Sequence, residues 1–318
     1  MRLLLMSERK SRPGVHHKWR ILFCILLLCA ALLLYMTVNA NVVRVLRTEI
    51  PVADLSDELA GFTVVYMSDL KLSSSSSLSR VQTLLNSLEE IHPQVLVLGG
   101  DYTGYDFIGQ ALNRRTNADY NLRMLDLRKR LFESLGAFSA PYGVFAVVGD
   151  QDNDLSRYDL EALSDIAYDY GVHLLVNESV SLPVPGRHRL IITGLDDWHT
   201  GAQSLNGLLD GLKEDDCVLV LTHTPDSVPV LLDQSGGNCV DVILSGHTLG
   251  GKYRLAGEEL LNPLSDTKRF SAGWHREGNA LLLISEGLNT NWPSLRFGTQ
   301  PQVHVLTLVR KQYSQMEQ

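Results

Sequence analysis

Five segments of this chain carry side chains that can bind a metal ion, and each segment follows a run of apolar residues. The carboxylates are Asp69, Asp101 and Asp150, and the imidazoles are His223 and His247. Strand ends hold ligands more precisely than free loops do, so carboxylates and imidazoles gathered there are typical of a metal centre. Mixed oxygen and nitrogen ligands suit Mn²⁺, Fe or Zn²⁺ better than Ca²⁺. The sequence therefore predicts a site for one or two divalent ions.

The stretches between these residues predict an α/β fold of two packed sheets with helices outside. Short apolar runs predict strands, and runs with apolar residues three or four apart predict helices. Strands are predicted before the five ligands at Phe62–Met67, Val95–Leu98, Val144–Val148, Cys217–Leu221 and Val240–Leu244. Helices are predicted at Ser79–Ile91, Asn121–Phe138, Leu160–Tyr170, Ser204–Leu212 and Ser227–Leu232. The serine run Ser73–Ser77 is predicted to be a mobile, solvated loop.

The N-terminal region predicts a single-pass membrane anchor. Ile21–Ala40 contains no charged residue and has the length of about 20 residues that a spanning helix needs. Residues 1–20 form a basic tail, so the positive-inside rule predicts a cytoplasmic tail and an extracytoplasmic domain. A cleaved signal peptide is the alternative, since Val38–Ala40 offers small residues for cleavage. Residues 41–57 are expected to be a connector, and residues 58–312 are expected to be the folded domain.

Charge and cysteine content restrict the partners. The net charge is −8, and the first 20 residues carry six basic side chains and one acidic side chain, so the remaining residues carry −13. This acidic charge argues against nucleic acid as a partner, because phosphate backbones need a basic surface. Cys217 and Cys239 each open a strand-like run, and two states remain open for them. They form a disulfide in an exported domain, or they are two buried free thiols.

Taken as a set, the ligand segments resemble the calcineurin-like metallophosphoesterase family, and in particular its membrane-anchored branch. The family pattern is D-x-H, G-D, G-N-H-D, H and G-H-x-H. The corresponding segments here are Ser68–Lys71, Gly100–Asp101, Gly149–Asp152, Thr222–His223 and Gly246–Gly251. The late segments Ser285–Leu288 and Pro293–Gly298 also resemble that branch. The resemblance covers roughly residues 60–310 and implies two mixed β-sheets packed together and flanked by helices.

The resemblance also implies a role for each ligand. In the family, two metal ions activate a water that attacks the phosphorus of a phosphate ester. By position, Asp69 would bind the first metal and Asp101 would bridge both metals. Asp150, which stands where the family has Asn, would bind the second metal together with His223 and His247.

Three positions depart from the family pattern. Lys71 and Leu249 stand where the family has histidine ligands of the first metal, and Gln151 stands where it has the histidine that assists the leaving group. Leucine offers no lone pair, and an amide is not a general acid although it donates hydrogen bonds. Lys71 and Gln151 are the candidate catalytic residues. Two orientations of Lys71 remain open: its ammonium lies between Asp69 and Asp101, or it turns to solvent.

These features predict a membrane-anchored, metal-dependent phosphoesterase with an altered site that holds one or two ions. Its substrate would be a phosphate ester, and a phospholipid or lipid-linked phosphate is one candidate because the site is tethered to a membrane. The alternative is a weak or inactive relative that retains the fold as a binding or scaffold domain. Asp196–His199 resembles a G-L-D-D segment of the family and is predicted to be mainly a structural turn near the site.

Overall fold

The computed structural model describes residues 15–53, 55–104, 117–152, 160–184, 189–213, 216–235, 239–251, 253–255, 258–261, 269–291 and 294–311. The described helices are α1 (Val15–Asn39), α2 (Ser75–Glu89), α3 (Asn117–Gly136), α4 (Leu160–Asp169) and α5 (Val228–Ser235). The described strands are β1 (Arg44–Val52), β2 (Thr63–Met67), β3 (Val95–Leu98), β4 (Val144–Ala146), β5 (His173–Leu174), β6 (Glu178–Leu182), β7 (Leu190–Gly194), β8 (Cys217–Leu221), β9 (Val242–Ser245), β10 (Tyr253–Leu255), β11 (Glu258–Leu261), β12 (Gly273–Glu277), β13 (Ala280–Ile284) and β14 (Gln302–Arg310). Most of the predicted basic tail lies outside the described residues.

Two six-stranded mixed sheets form the framework, which confirms the predicted architecture. The first sheet has the order β1-β14-β2-β3-β4-β5, and the second has the order β12-β13-β9-β8-β7-β6. In the first sheet β2, β3 and β4 are parallel, whereas β14 runs antiparallel to β2. In the second sheet β7, β8 and β9 are parallel, whereas β6 runs antiparallel to β7. Strands β10 and β11 pair with each other in a separate hairpin.

Apolar layers hold the two sheets and the helices together. Between the sheets, Tyr66 and Val97 of the first sheet belong to one buried cluster with Leu219 and Leu244 of the second. The outer face of the first sheet packs against α2, α3 and α4. The outer face of the second sheet packs against α5. Strands such as β3, buried at all four residues, are continuous apolar runs because both of their faces are covered.

The parallel strands bring the predicted ligands to the same edge of the two sheets. Strands β2, β3 and β4 end two to four residues before Asp69, Asp101 and Asp150. Strands β8 and β9 of the second sheet each end two residues before His223 and His247. Backbone hydrogen bonds fix neighbouring strands in register, so all five ligands start from rigid positions.

The N-terminal boundary of the folded domain differs from the prediction. Residues 44–52 form β1, which pairs in parallel with β14 along its whole length. The predicted connector 41–57 is therefore wrong across this stretch, which belongs to the first sheet. The sequence signal was weak because β1 is an edge strand that contains Pro51, and its partner lies at the other end of the chain.

The serine run also differs from the prediction. Ser75–Ser77 form the first turn of α2, and Ser74 is its N-cap. The Ser77 backbone N–H donates to the Ser74 hydroxyl at 3.2 Å, and the Ser74 backbone N–H donates to the Ser77 hydroxyl at 3.1 Å. This reciprocal capping box satisfies two backbone donors of the helix start. The predicted mobile loop is therefore wrong from Ser74 onward.

Two further sequence interpretations are decided by the structure. Residues 204–212 form turns and not the predicted helix, because Gly207 and Gly211 adopt φ values of 76° and 71° that a helix cannot contain. Cys217 and Cys239 are free thiols, the first buried and the second half-buried. The free-thiol alternative is therefore the one that the structure shows.

Helix α1 has the features of a membrane span, and its C-terminal end contacts the domain. His17–Asn39 contains an 18-residue window with a mean hydropathy of 2.8, and none of that window is buried inside the protein. The Asn39 amide donates to the Thr299 carbonyl at 2.7 Å, and the Met36 carbonyl accepts from the Arg296 backbone N–H at 3.2 Å. The helix is therefore long and apolar enough to cross a membrane, and it is joined to the domain by more than its chain connection.

Candidate metal centre

Three side chains from the two sheets converge on one point. Asp150 Oδ1 lies 3.3 Å from His223 Nε2 and 3.2 Å from His247 Nδ1, and the two imidazole nitrogens lie 3.3 Å apart. Asp101 Oδ2 lies 3.4 Å from the same His223 nitrogen. The predicted ligands of the second metal are therefore neighbours in space, although they are up to 146 residues apart in sequence.

This donor set fits one divalent ion. An ion bonded at about 2.1 Å to its ligands holds them about 3.0–3.4 Å apart in octahedral or tetrahedral geometry, which matches the separations observed. Asp150 Oδ1 is buried and accepts no hydrogen bond from the part of the chain that the structure describes. Two imidazole nitrogens and a carboxylate oxygen that converge on one point are typical of metal ligands.

A contact behind His223 fixes which of its nitrogens faces the centre. His223 Nδ1 lies 2.6 Å from the Gly99 carbonyl oxygen, which only accepts hydrogen bonds. The proton of a neutral imidazole therefore belongs on Nδ1, and the lone pair of Nε2 points toward Asp101 and Asp150. This backbone contact orients the ring as the outer contacts of metal-binding histidines do.

The place beside Asp69 and Asp101 is occupied by the ammonium group of Lys71. Lys71 Nζ lies 3.3 Å from Asp69 Oδ1 and donates a hydrogen bond to Asp101 Oδ2. The Lys71 side chain is only 2% exposed. Of the two orientations left open by the sequence, the structure shows the internal ammonium. Asp69, Asp101 and His223 also form a possible ligand group by distance, but the ammonium of this lysine lies between the two carboxylates and balances one of their two negative charges.

Leu249 gives the same region an apolar wall. Its side chain is 4% exposed. A Cβ placed on Gly287 would lie 3.0 Å from Leu249 Cδ2 and 2.7 Å from Asp69 Cβ, so the leucine lies close to that carboxylate. Asp69 Oδ2 accepts the backbone N–H of His247 at 3.0 Å, which ties Asp69 to the second sheet. Asp69 Oδ2 is therefore hydrogen-bonded, whereas Oδ1 has only the ion-pair contact with Lys71 among the described residues.

Gln151 also contacts Asp101. Its backbone N–H donates to Asp101 Oδ1 and its side-chain amide donates to Asp101 Oδ2, both at 3.0 Å. The amide that the sequence predicts at the leaving-group position is therefore engaged with a ligand carboxylate. A Cβ on Gly149 would lie 2.3 Å from Asp101 Oδ1, so only glycine allows this loop to approach so closely.

A buried ion pair beneath the site was not identified from the sequence. Asp152 accepts the backbone N–H groups of Asp101, Tyr102 and Gly149 at 2.6, 3.0 and 3.1 Å. Arg128 of α3 lies 3.6 Å from the Asp152 carboxylate, and both side chains are buried. Burial and the charge of Asp101 raise the pKa of Asp152 to about 6, against the opposing effect of Arg128. Asp152 therefore ties together the two loops that present Asp101 and Asp150. The only sequence signal for Arg128 was a charge within a helical, partly apolar segment.

The backbone is strained at the centre. Among the described non-glycine residues, seven have positive φ, and five of these are Asp69, Lys71, Asp101, His247 and Leu249, at φ values of 38° to 69°. Such conformations persist only where surrounding contacts enforce them, and they concentrate at functional sites. The hydrogen bonds between the Lys71 N–H and the Asp101 carbonyl (2.8 Å), and between the Asp69 N–H and the Gly100 carbonyl (3.0 Å), are among those contacts.

Opposite charges keep the central groups ionised. Burial acts to lower the pKa of Lys71, but the charges of Asp101 and Asp69 outweigh burial and raise it above its ordinary value. Burial acts to raise the pKa of Asp101, but the charge of Lys71 holds it below its ordinary value. The lysine is therefore a cation at neutral pH, and Asp101 is an anion.

The Asp196–His199 segment forms the predicted turn at the edge of the centre. Asp197 Oδ2 accepts the backbone N–H groups of His199 and Thr200 at 2.9 and 2.7 Å, which is a turn stabilised by its own side chain. The exposed His199 ring lies 5.4 Å from the His247 ring, measured between centroids. The turn therefore borders the ligand set without supplying one of its converging atoms.

Comparison with known proteins gives a consistent result. Residues 62–251 match the sequence model of the family described as Calcineurin-like phosphoesterase. This range contains every converging ligand and most of both sheets.

Several curated proteins are similar along most of the chain. "Uncharacterized metallophosphoesterase YkuE" of Bacillus subtilis is 24% identical, over 78% of this chain and 79% of its own length. "Phosphodiesterase YaeI" of Escherichia coli is 26% identical, over 81% of this chain and 86% of its own length. "Transmembrane protein with metallophosphoesterase domain" of Danio rerio is 25% identical, over 79% of this chain but only 55% of its own length.

Proposed function

Because this chain belongs to the calcineurin-like phosphoesterase family, and is a phosphoester hydrolase by that membership, we propose that it hydrolyses a lipid-linked phosphate ester at a membrane surface. The observation that carries the catalytic half of the proposal is the convergence of Asp150, His223 and His247 on one ion-sized point, with Asp101 beside His223 at 3.4 Å. Mn²⁺, Fe and Zn²⁺ all suit this mixture of carboxylates and imidazoles.

Different residues would have different roles in hydrolysis. Asp101, Asp150, His223 and His247 would hold the ion, which when bound supplies a Lewis acid for the phosphoryl oxygen and an activated water. Hydrolysis adds one water across the ester P–O bond, so the leaving alcohol must gain a proton. Gln151 does not supply that proton because an amide is not an acid at neutral pH. The alcohol proton therefore comes from water, and we expect slow turnover, since a missing general acid costs about 10²–10⁴ in rate.

The contact between α1 and the domain supports a membrane-linked substrate. Tyr35 in the last turns of α1 packs edge-on against Phe297 with the ring centroids 5.8 Å apart. Gln300 donates its amide to Asn39 Oδ1 at 2.7 Å. Residues 296–300 therefore hold the end of the helix that would leave the membrane. The relative from Danio rerio carries the word transmembrane in its name, which agrees with an anchored protein.

A short path of contacts connects this helix end to the centre. The buried Arg296 guanidinium donates to the carbonyls of Gly287 and Asn289 at 3.2 and 3.0 Å. The backbone N–H of Asn289 in turn donates to the Asp69 carbonyl at 2.8 Å. One loop thus separates the end of α1 from Asp69. We expect that a lipid ester whose phosphate projects from the same membrane reaches the site while its acyl chains stay in the bilayer. The basic tail predicts that the domain lies on the extracytoplasmic side.

A second function is favoured by a specific observation, the change of Lys71, Leu249 and Gln151 away from the family pattern. These changes remove two ligands and the leaving-group acid while the core and the second ligand set remain. A binding or scaffold domain that holds an ion without turnover has the same structural requirements.

One experiment separates the two functions. Full-length protein in detergent would be tested for metal content and for hydrolysis of bis(p-nitrophenyl) phosphate, alongside Asp101→Ala, His247→Ala and the control His275→Ala. His275 lies on β12 outside the ligand set. Metal-dependent turnover in wild type and control, lost in both site variants, supports the hydrolase. Equal background rates in all four proteins defeat it, and a metal lost only in the site variants without turnover supports the binding role.

The membrane half of the proposal has its own test. Release of inorganic phosphate from phosphatidic acid in mixed micelles would be compared with release from water-soluble glycerol 3-phosphate, which has the same phosphate monoester. The proposal expects faster release from the lipid. Equal rates for the two esters would remove the argument for a lipid-linked substrate while leaving the hydrolase in place.

A further inference from the structure

The region around Lys71 does not fit the first of the two metal ions that the family pattern implies. We infer that the Lys71 ammonium permanently replaces this ion, so that the centre binds one divalent cation and no second one. The inference rests on the proposed function, because the single ion is the one held by Asp150, His223 and His247. It concerns the number of ions and the residue that limits it.

Every carboxylate oxygen of Asp69 and Asp101 already has a donor or a cation beside it, although Asp69 Oδ1 meets Lys71 only as an ion pair and accepts no hydrogen bond among the described residues. The Lys71 ammonium contacts Asp69 Oδ1 and Asp101 Oδ2. The Gln151 amide donates to the same Asp101 oxygen at 3.0 Å, and the His247 backbone N–H takes the other oxygen of Asp69. A second cation would have to displace three donors and would repel the buried ammonium.

The backbone holds Lys71 in this orientation. Its backbone N–H donates to the Asp101 carbonyl at 2.8 Å, and this hydrogen bond restrains the Lys71 backbone at its φ of 38°. A Cβ on Gly104 would lie 2.9 Å from both Lys71 Cβ and Lys71 O, so the glycine backbone packs directly against the lysine stem. Asn289 donates its amide to the carbonyl of the preceding Leu70 at 2.9 Å. Turning the side chain to solvent would require this packed loop to open.

The ligands that the first ion would need are also missing. Leu249 is buried close to Asp69 and offers no lone pair. On that side a second ion would find two carboxylates that already share one ammonium, and no imidazole other than His223, whose Nε2 also faces Asp150.

The charges agree with one ion. Three buried or half-buried carboxylates, Asp69, Asp101 and Asp150, surround the centre. One ammonium and one divalent ion balance these three negative charges. Asp150 stands where the family pattern has a neutral Asn, and it adds one negative charge. Lys71 contributes one positive charge where the family pattern implies a divalent ion. Both changes occur in the same centre. Two divalent ions together with Lys71 would leave an excess of two positive charges in a largely buried site.

The test counts Mn²⁺ ions per chain. Full-length protein in detergent would be stripped with chelator, loaded with Mn²⁺ and desalted, and its manganese would be measured by mass spectrometry. Electron paramagnetic resonance would distinguish an isolated Mn²⁺ from an exchange-coupled pair. We expect one isolated ion in wild type, none in His247→Ala, and one in the control His275→Ala.

Restoring the missing ligands provides the decisive variants. Lys71→His combined with Leu249→His should bind two coupled ions, whereas Leu249→His alone should still bind one because the ammonium remains. A folded double variant with only one ion would overturn the role given to Lys71. If the double variant does not fold, the wild-type count decides by itself.

The outcomes separate this inference from the proposed function. Two coupled ions in wild type would overturn the inference and leave a metal-dependent hydrolase. If none of the metals Mn²⁺, Fe²⁺ and Zn²⁺ binds to the wild-type protein, the metal-dependent function and the single-ion site are both overturned.

Discussion

Replacing Lys71 by methionine should strongly destabilise the metal-free protein. Methionine has nearly the same length and fills the same space, so the substitution removes the charge with little change in packing. It leaves Asp69 and Asp101 fully buried with no ammonium between them. Two buried carboxylates without a cation cost free energy in the folded state, because water solvates them in the unfolded chain.

The expected size follows from the geometry. Opposite unit charges at the 3.3 Å separation of Lys71 Nζ and Asp69 Oδ1 attract each other by about 5 kcal/mol at an effective dielectric constant of about 20. Desolvation of the ammonium offsets part of this attraction. Removal of one partner from a buried ion pair typically costs about 3–5 kcal/mol, and we expect a loss in that range.

Urea denaturation of full-length protein in detergent with chelator, followed by tryptophan fluorescence, would measure the loss. Lys129→Met is the matched control, because Lys129 is exposed on α3 and should change the free energy of unfolding by less than about 0.5 kcal/mol. Asp69→Asn added to Lys71→Met should recover part of the loss, because it removes one unpaired charge. A loss below about 1 kcal/mol for Lys71→Met would refute the internal ion pair.

Three further changes have defined outcomes. Arg128→Met should lower the free energy of unfolding by about 3–5 kcal/mol, because it leaves Asp152 buried without its cation; a loss no larger than that of Lys129→Met would contradict this in the same urea assay. Ser74→Ala should cost about 1 kcal/mol by removing the N-cap of α2, and an unchanged urea midpoint would show that the cap is unimportant. Burial lowers the pKa of His304 from its ordinary 6.5 to about 4. The imidazole is therefore protonated below about pH 6.5 in the unfolded chain but only below about pH 4 in the folded protein. Stability is therefore lost as pH falls through this window, by up to about 3 kcal/mol, and His304→Phe should reduce the drop in melting temperature between pH 7 and pH 5; an equal drop in both proteins would contradict the assignment.

The sequence predicted the sheet framework because the strands that carry the ligands are apolar on both faces. Runs such as Val95–Leu98 have no other stable location than a sheet interior, and the structure buries that strand completely. The residues that follow such strands lie at the sheet edge by necessity. Five ligand positions could therefore be selected before any distance was known.

Elements whose partners are remote or unusual could not be predicted in the same way. Strand β1 pairs Arg44 with Gln302, and its own alternation is interrupted by charged residues and Pro51. The helix start at Ser74 uses a second serine, Ser77, where the usual capping-box signal is Glu or Gln. In both cases the stabilising contacts are clear in three dimensions, but the sequence pattern matches a loop equally well.

The sequence by itself determined which residue types stand at the strand ends, and hence that three histidine positions of the family pattern hold Lys71, Leu249 and Gln151. It did not determine where those side chains point, because a surface lysine and a buried one have the same local sequence. Tertiary structure decided that Lys71 turns inward, since the loops after β2 and β3 bring two carboxylates within reach of its ammonium and the packed backbone keeps it there. Electrostatic interactions depend on distance and burial and not on sequence spacing, so the single-ion site inferred above could be argued only from the tertiary structure.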